Sequence, residues 1–228
     1  RKLKKSGQRM QPELKELLVS HAKNLEVQLG KKELEQLEKY LEMIQEYNQR
    51  LNLTSITDEE GIVVKHFLDS LAGHQFLKSG WFVADLGSGM GCPGIPLKIA
   101  RPSLRLILIE SNHKKNAFIN QVIRALGLEN ARAIAHNAED KNFQLGLARQ
   151  LDAILVRAFG ALYKTTKIAS PYLKPNGRLI AYKGPEGENE LKEYQEDIYK
   201  HRFQLEEKFS FSLALEMGER VLLVFKKF

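Results

Sequence analysis

Five apolar runs separated by helical segments constrain this chain more than any other feature. They are "WFVAD" (81–85), "LRLILIE" (104–110), "ARAIAH" (131–136), "LDAILVR" (151–157) and "GRLIAYK" (177–183). Near-continuous apolar runs suit strands buried on both faces, and strands alternating with helices predict a doubly wound, mostly parallel α/β sheet. Two more runs, "FQLEEKFSF" (203–211) and "ERVLLVFKKF" (219–228), are separated by a short turn and predict an antiparallel pair. The expected sheet therefore has seven strands. Before it, Leu14, Leu17, Leu18 and Leu25, then Leu34, Leu37, Leu41, Ile44 and Leu51, recur at helical spacing, and a third helix is expected from Glu59 to Phe76 with Ile62, Val63, His66, Phe67 and Leu71 inside. The reading is a helical part over residues 1–79 and an α/β domain over residues 80–228.

With 228 residues, 43% of them hydrophobic, the chain is neither disordered nor fibrous. No apolar run is long enough to span a bilayer, and the opening "RKLKKSGQRM" lacks the apolar core of a signal peptide, so a cytoplasmic location is expected. The chain opens on arginine, and its start is read as trimmed. A single cysteine, Cys92, leaves no disulfide framework and no zinc site, and no metal is expected. The net charge of +7 favours a polyanionic partner by counterion release, as nucleic-acid binding requires.

The segment "VADLGSGMGCPGIPL" (83–97) follows the first strand run, where open parallel sheets bind ligands. Gly87, Gly89 and Gly91 let the backbone turn tightly and approach a ligand. Gly89-x-Gly91-x-x-Gly94 also matches the dinucleotide pattern, a weak signal by itself. Glu110 closes the second strand run and can accept two ribose hydroxyls, a geometry that fits NAD or S-adenosylmethionine alike. Asp85, two residues before Gly87, favours the second, because a carboxylate tolerates a sulfonium and an ammonium but repels a pyrophosphate.

The chain resembles the RsmG (GidB) family of methyltransferases. The resemblance rests on "LNLTS" (51–55), "HFLDS" (66–70), "DLGSGMGCPGIPL" (85–97), "VRAFG" (156–160), "YKG" (182–184) and "GER" (218–220), in the family's order over nearly the whole chain after about residue 30. It implies a class I, Rossmann-like methyltransferase with an N-terminal helical subdomain. It also implies transfer of methyl from S-adenosyl-L-methionine to guanine N7 in bacterial 16S ribosomal RNA, within the 530 loop. Gly87, Ser88, Gly89, Gly91 and Cys92 would contact the methionine part of the cofactor and Glu110 its ribose. Ala138 and Glu139 would flank the adenine, and Arg157 would lie on the methyl-donor side. The partner would be 16S rRNA, in the small subunit or an assembly intermediate, and the protein is taken as a monomer. Met90, Cys92 and Glu110 depart from the family pattern while preserving packing or charge.

Guanine N7 attacks a sulfonium methyl without a general base, so positioning should dominate, with Arg157 as the candidate for aligning the base. The slot after the fourth strand run reads Val156-Arg157-Ala158-Phe159, without the proline-rich motif of many amine methyltransferases. Cys92 precedes Pro93 in the loop, a place for packing rather than nucleophilic attack. His66 and Asp69, at i and i+3, are expected to hydrogen-bond and dock the helices on the sheet, or else to lie near the substrate. Lys114, Lys115 and Lys183 are either solvated or RNA-phosphate contacts, and Phe159 either stacks on a flipped guanine or packs beneath Arg157. The competing readings are an NAD-type oxidoreductase and a noncatalytic rRNA-binding assembly factor.

Overall fold

The structure, a computed structural model, describes residues 10–228. The charged opening residues read above as lacking a leader lie, apart from Met10, outside that range. Helix α1 (Pro12–Asn24) begins with proline, whose missing N–H is of no consequence at a helix start. Helix α2 (Lys31–Leu51) buries Leu37, Tyr40, Leu41 and Ile44 along one stripe. Helix α3 (residues 59–71) is capped by Asp58, which accepts from the Gly61 N–H at 2.6 Å, and widens into π-helical turns over Val63–Leu68. The spacing predicts helix as far as Phe76, but the helix breaks at Ala72 and Gly73. There the Tyr182 hydroxyl donates to the Ser70 carbonyl at 2.8 Å and fills the space a β-carbon on Gly73 would need.

The sheet that follows is built from β1 (Phe82–Leu86), α4 (Gly94–Ala100), β2 (Arg105–Ile109), α5 (His113–Ala125), β3 (Ala131–Ile134), α6 (Lys141–Gly146), β4 (Leu151–Arg157), α7 (Leu162–Ala169), β5 (Leu173–Lys183), α8 (Gly187–Glu193), α9 (Gln195–Lys200), β6 (Phe203–Ser212) and β7 (Glu219–Lys227). Its seven strands run in the order β3-β2-β1-β4-β5-β7-β6. The first five are parallel; β7 is antiparallel to both β5 and β6. Helices cover both faces. One face shares an apolar cluster with α1, α2 and α3, where Leu37, Ile44, Phe67 and Leu71 are fully buried. Each such side chain contributes about 1.5–3 kcal/mol, so the helical layer is firmly seated. Among the described residues no helix is long and apolar enough to cross a membrane.

Strand order reverses between β1 and β4, and a crevice opens beyond their carboxyl ends. Leu86 pairs with Val156 across that junction. The register therefore sets the loop after Leu86 beside Arg157.

Candidate active site

The loop between β1 and α4 is shaped by three glycines in the left-handed region: Gly87 at φ +66°, Gly89 at +60° and Gly91 at +108°. A β-carbon on Gly87 would lie 2.6 Å from Cδ2 of Phe159, whereas one on Gly89 would meet nothing within 4 Å. Gly87 is thus a close-packing glycine and Gly89 opens onto free space. The aromatic ring of Phe159 lies against the loop at Gly87. Gly87→Ala combines left-handed strain with this clash and is expected to destabilise the fold by about 1–2 kcal/mol. An unchanged denaturation midpoint would show that the loop and Phe159 yield freely.

Acids pin the loop from two sides. The Gly89 N–H donates to Oε2 of Glu110 and the Asn112 N–H to its Oε1, each at 2.8 Å. Asn112 in turn caps α5 by accepting from the Lys114 and Lys115 amides at 3.0 and 3.1 Å. Asp85 is 1% exposed, and its Oδ2 accepts from the Gly94 N–H at 2.8 Å. Burial pushes its carboxyl up to about 7, although the Gly94 N–H and Arg157 pull the other way. Oδ1 of Asp85 and Oγ of Ser88 are buried without a hydrogen-bond partner.

On the other side of the crevice Arg157 is clasped by the helical layer. Its Nη1 donates to the Lys65 carbonyl at 3.1 Å and to Oδ2 of Asp69 at 3.2 Å, and its Nη2 lies 3.1 Å from Nδ1 of His66. His66 and Asp69 therefore do not pair with each other, as their spacing suggests; both hold the same guanidinium. A guanidinium only donates, so Nδ1 accepts and Nε2 carries the proton toward Oγ1 of Thr54, 2.9 Å away. Burial, then Arg157 and Lys65, lower the His66 pKa to about 3, which keeps the ring neutral. Arg220, from the "GER" segment, reaches Oδ1 of Asp69 at 3.5 Å.

A cavity of about 520 Å³ joins these parts, lined by Gly87, Ser88, Gly89, Met90 and Cys92 on the loop side and by His66, Asp69, Arg157, Lys183 and Arg220 among others. Lys183 donates to the Gly160 carbonyl and pairs with Glu190, both at 2.8 Å, which braces the turn after β4. Cys92 is buried, and burial raises its thiol pKa, so it is no thiolate nucleophile. Tyr40 of α2, which the helical pattern gave no reason to single out, donates to the Met90 carbonyl at 2.7 Å and so ties the helical layer to the glycine loop.

Asp85, Glu110, Phe159, Lys114, Lys115, Ala138 and Glu139 are not among the residues that line this cavity. Lys114 is exposed at the start of α5. Ala138 is buried, its carbonyl accepting from Tyr172 at 2.8 Å and Gln144 at 3.0 Å. Glu139 pairs with Lys164 at 2.8 Å, bridging the β3–α6 loop to α7.

The strand order, the glycine loop after β1 and the acid after β2 define a class I methyltransferase. The fold is similar to that of YcgJ from Bacillus subtilis (TM-score 0.56, 14% identity, 71% of this chain and 99% of that one) and of a geranyl diphosphate methyltransferase in complex with S-adenosylmethionine (0.55, 15%, 71% and 86%). The sequence profile of rRNA small subunit methyltransferase G matches residues 33–216, and proteins of that name from Lachnoclostridium phytofermentans and Lysinibacillus sphaericus are 38% and 33% identical, covering 90% and 88% of this chain and 86% and 85% of theirs. The chain belongs to the rRNA small subunit methyltransferase G family.

The residues around the crevice suit this family's methyl donor, S-adenosylmethionine. Gly89 leaves open space where a side chain would stand, two buried oxygens lack partners, and Glu110 keeps lone pairs beyond those its amide donors use.

Proposed function

We propose that the protein transfers the methyl of S-adenosylmethionine to N7 of a guanine in the 530 loop of 16S rRNA, acting as a monomer in the cytoplasm. When bound, the cofactor supplies an electrophilic sulfonium methyl. Glu110 holds its ribose, the Gly87–Cys92 loop its methionine part, and the Ala138–Glu139 turn its adenine. Arg157 aligns the base.

The observation that carries the reading is that the imidazole, thiol and carboxylate among the described side chains lining the cavity are each engaged or buried. The one lone pair of neutral His66 accepts from Arg157, the Cys92 thiol is buried, and Asp69 is engaged by two arginines. Such a site suits an acceptor that needs neither activation nor a covalent intermediate. Guanine N7 has an in-plane lone pair and is unprotonated near neutral pH, so placing it in line with the methyl is what remains for the protein to do.

Mapping 7-methylguanine in 16S rRNA from cells with and without this gene tests the reading. The modification should vanish from the 530 loop with the gene; its persistence would refute the assignment. The cofactor part is tested separately. Glu110→Gln leaves one oxygen where two now accept from the Gly89 and Asn112 N–H groups and puts a donor in the other's place, so it removes acceptor capacity beneath the loop and is expected to weaken S-adenosylhomocysteine about tenfold. Unchanged affinity, or equal binding of NAD, would remove Glu110 from the ribose site.

A further inference from the structure

Four cations line the cavity: Lys65, Arg157, Lys183 and Arg220. Lys183 is offset by Glu190 at 2.8 Å and Arg157 by Asp69 at 3.2 Å. Arg220 shares that same Asp69 at 3.5 Å without a hydrogen bond, and Oδ1 of Asp69 has no hydrogen-bond partner. The Lys65 ammonium has no hydrogen-bond or ion-pair partner among the described residues, although its carbonyl holds Arg157. Asp85, the next acid toward the loop, is pushed up to about 7 by burial and is only partly ionised at neutral pH. The wall formed by α3 and the start of β7 therefore carries two surplus positive charges facing the cavity. Like charges so placed repel one another unless an anion lies between them.

The methyl donor is not that anion. Its sulfonium and ammonium outnumber its one carboxylate, so its arrival adds positive charge. A phosphodiester brings a full negative charge and oxygens that accept from both an ammonium and a guanidinium. Building on the rRNA reading above, we infer that Lys65 and Arg220 form a seat for the backbone phosphate flanking the guanine that is methylated. Held there, the phosphate lies beside Arg157 and fixes the nucleotide's sugar while Arg157 orients the base. Contacts to phosphate set register and contacts to base edges set identity.

The experiment uses the full chain saturated with S-adenosylhomocysteine and an rRNA substrate carrying one neutral methylphosphonate, on either side of the target guanine in turn. For the unaltered protein, one of the two positions should weaken RNA binding about tenfold. Lys65→Gln and Arg220→Gln should each show a similar loss on unmodified RNA, little further loss on that modified RNA, and a salt slope smaller by about one. Their affinity for S-adenosylhomocysteine should stay within about twofold. The Lys65 ammonium has no partner to lose among the described residues, so its variant separates binding from folding. In turnover the variants should raise KM for RNA by more than they lower kcat.

Additive losses from the variants and the methylphosphonate would overturn the seat, since the cations would then act elsewhere on the RNA. So would weakened cofactor binding with RNA affinity intact, which would assign them to the cofactor carboxylate. RNA affinity is read without turnover, so failure of methyl transfer to guanine N7 would refute the function proposed above and leave the phosphate seat to be judged on binding.

Discussion

Arg157→Lys is expected to lower single-turnover methyl transfer about a hundredfold at saturating cofactor and RNA. The affinity for S-adenosylhomocysteine should change less than about threefold. The guanidinium reaches a carbonyl, a carboxylate and an imidazole from two nitrogens, and retains two N–H donors for a ligand. Guanine offers O6 as an acceptor next to N7, so a fork fixed on three sides can set the direction of the N7 lone pair. An ammonium keeps the charge beside Asp69 but cannot span those three acceptors at once. The lysine variant therefore tests alignment while keeping a positive charge beside Asp69. Arg157→Ala does not: it would leave the Asp69 carboxylate, 2% exposed, with Arg220 at 3.5 Å as its remaining cation among the described residues, a loss on the order of 3–5 kcal/mol. If Arg157→Lys keeps its single-turnover rate and loses only cofactor affinity, Arg157 belongs to the cofactor site, and other groups place the base.

The strands were legible because burial on two faces leaves few polar positions, as in Leu106–Ile109 and Ala153–Val156. The glycine loop was legible because left-handed turns select glycine, and Glu110 because it ends a strand beside that loop. The neighbours of the last two strands were not predicted, yet the signal was present. "ERVLLVFKKF" holds an unbroken apolar stretch over Val221–Phe225 and lies inside the sheet, whereas "FQLEEKFSF" is mostly polar and forms its edge.

The clasp on Arg157 was beyond the reach of local pattern. The spacing of His66 and Asp69 shows that they share a helix face, but the group they hold lies 91 and 88 residues away. Tyr40 is similar: in the sequence it is one aromatic residue in an amphipathic helix, and its hydroxyl finds Met90 fifty residues on. Asp85 shows the opposite limit. Its place at a strand end gives no sign that Oδ2 accepts from the Gly94 N–H, a bond that only the folded backbone shows.

That buried carboxylate supports a second large effect. Asp85→Asn is expected to stabilise the ligand-free protein relative to the unaltered chain by an amount that grows as pH rises from about 4 to about 7 and then levels, reaching on the order of 4 kcal/mol. The sign follows from proton binding. With a folded pKa of about 7 against 3.8 unfolded, Asp85 is protonated in the native state and ionised in the unfolded one between those limits. Its favourable contribution is complete below the unfolded value and is lost as pH climbs through the folded one. Asparagine cannot ionise and still offers an acceptor to the Gly94 N–H, so the bond that holds the loop survives. His66 and His74, lowered to about 3 and about 4 chiefly by burial, tilt the stability of both proteins the other way in the acid range. They cancel in the difference between the two proteins, which denaturant melts at matched pH would measure. A constant difference from pH 4 to pH 8 would mean that Asp85 titrates as it does in water.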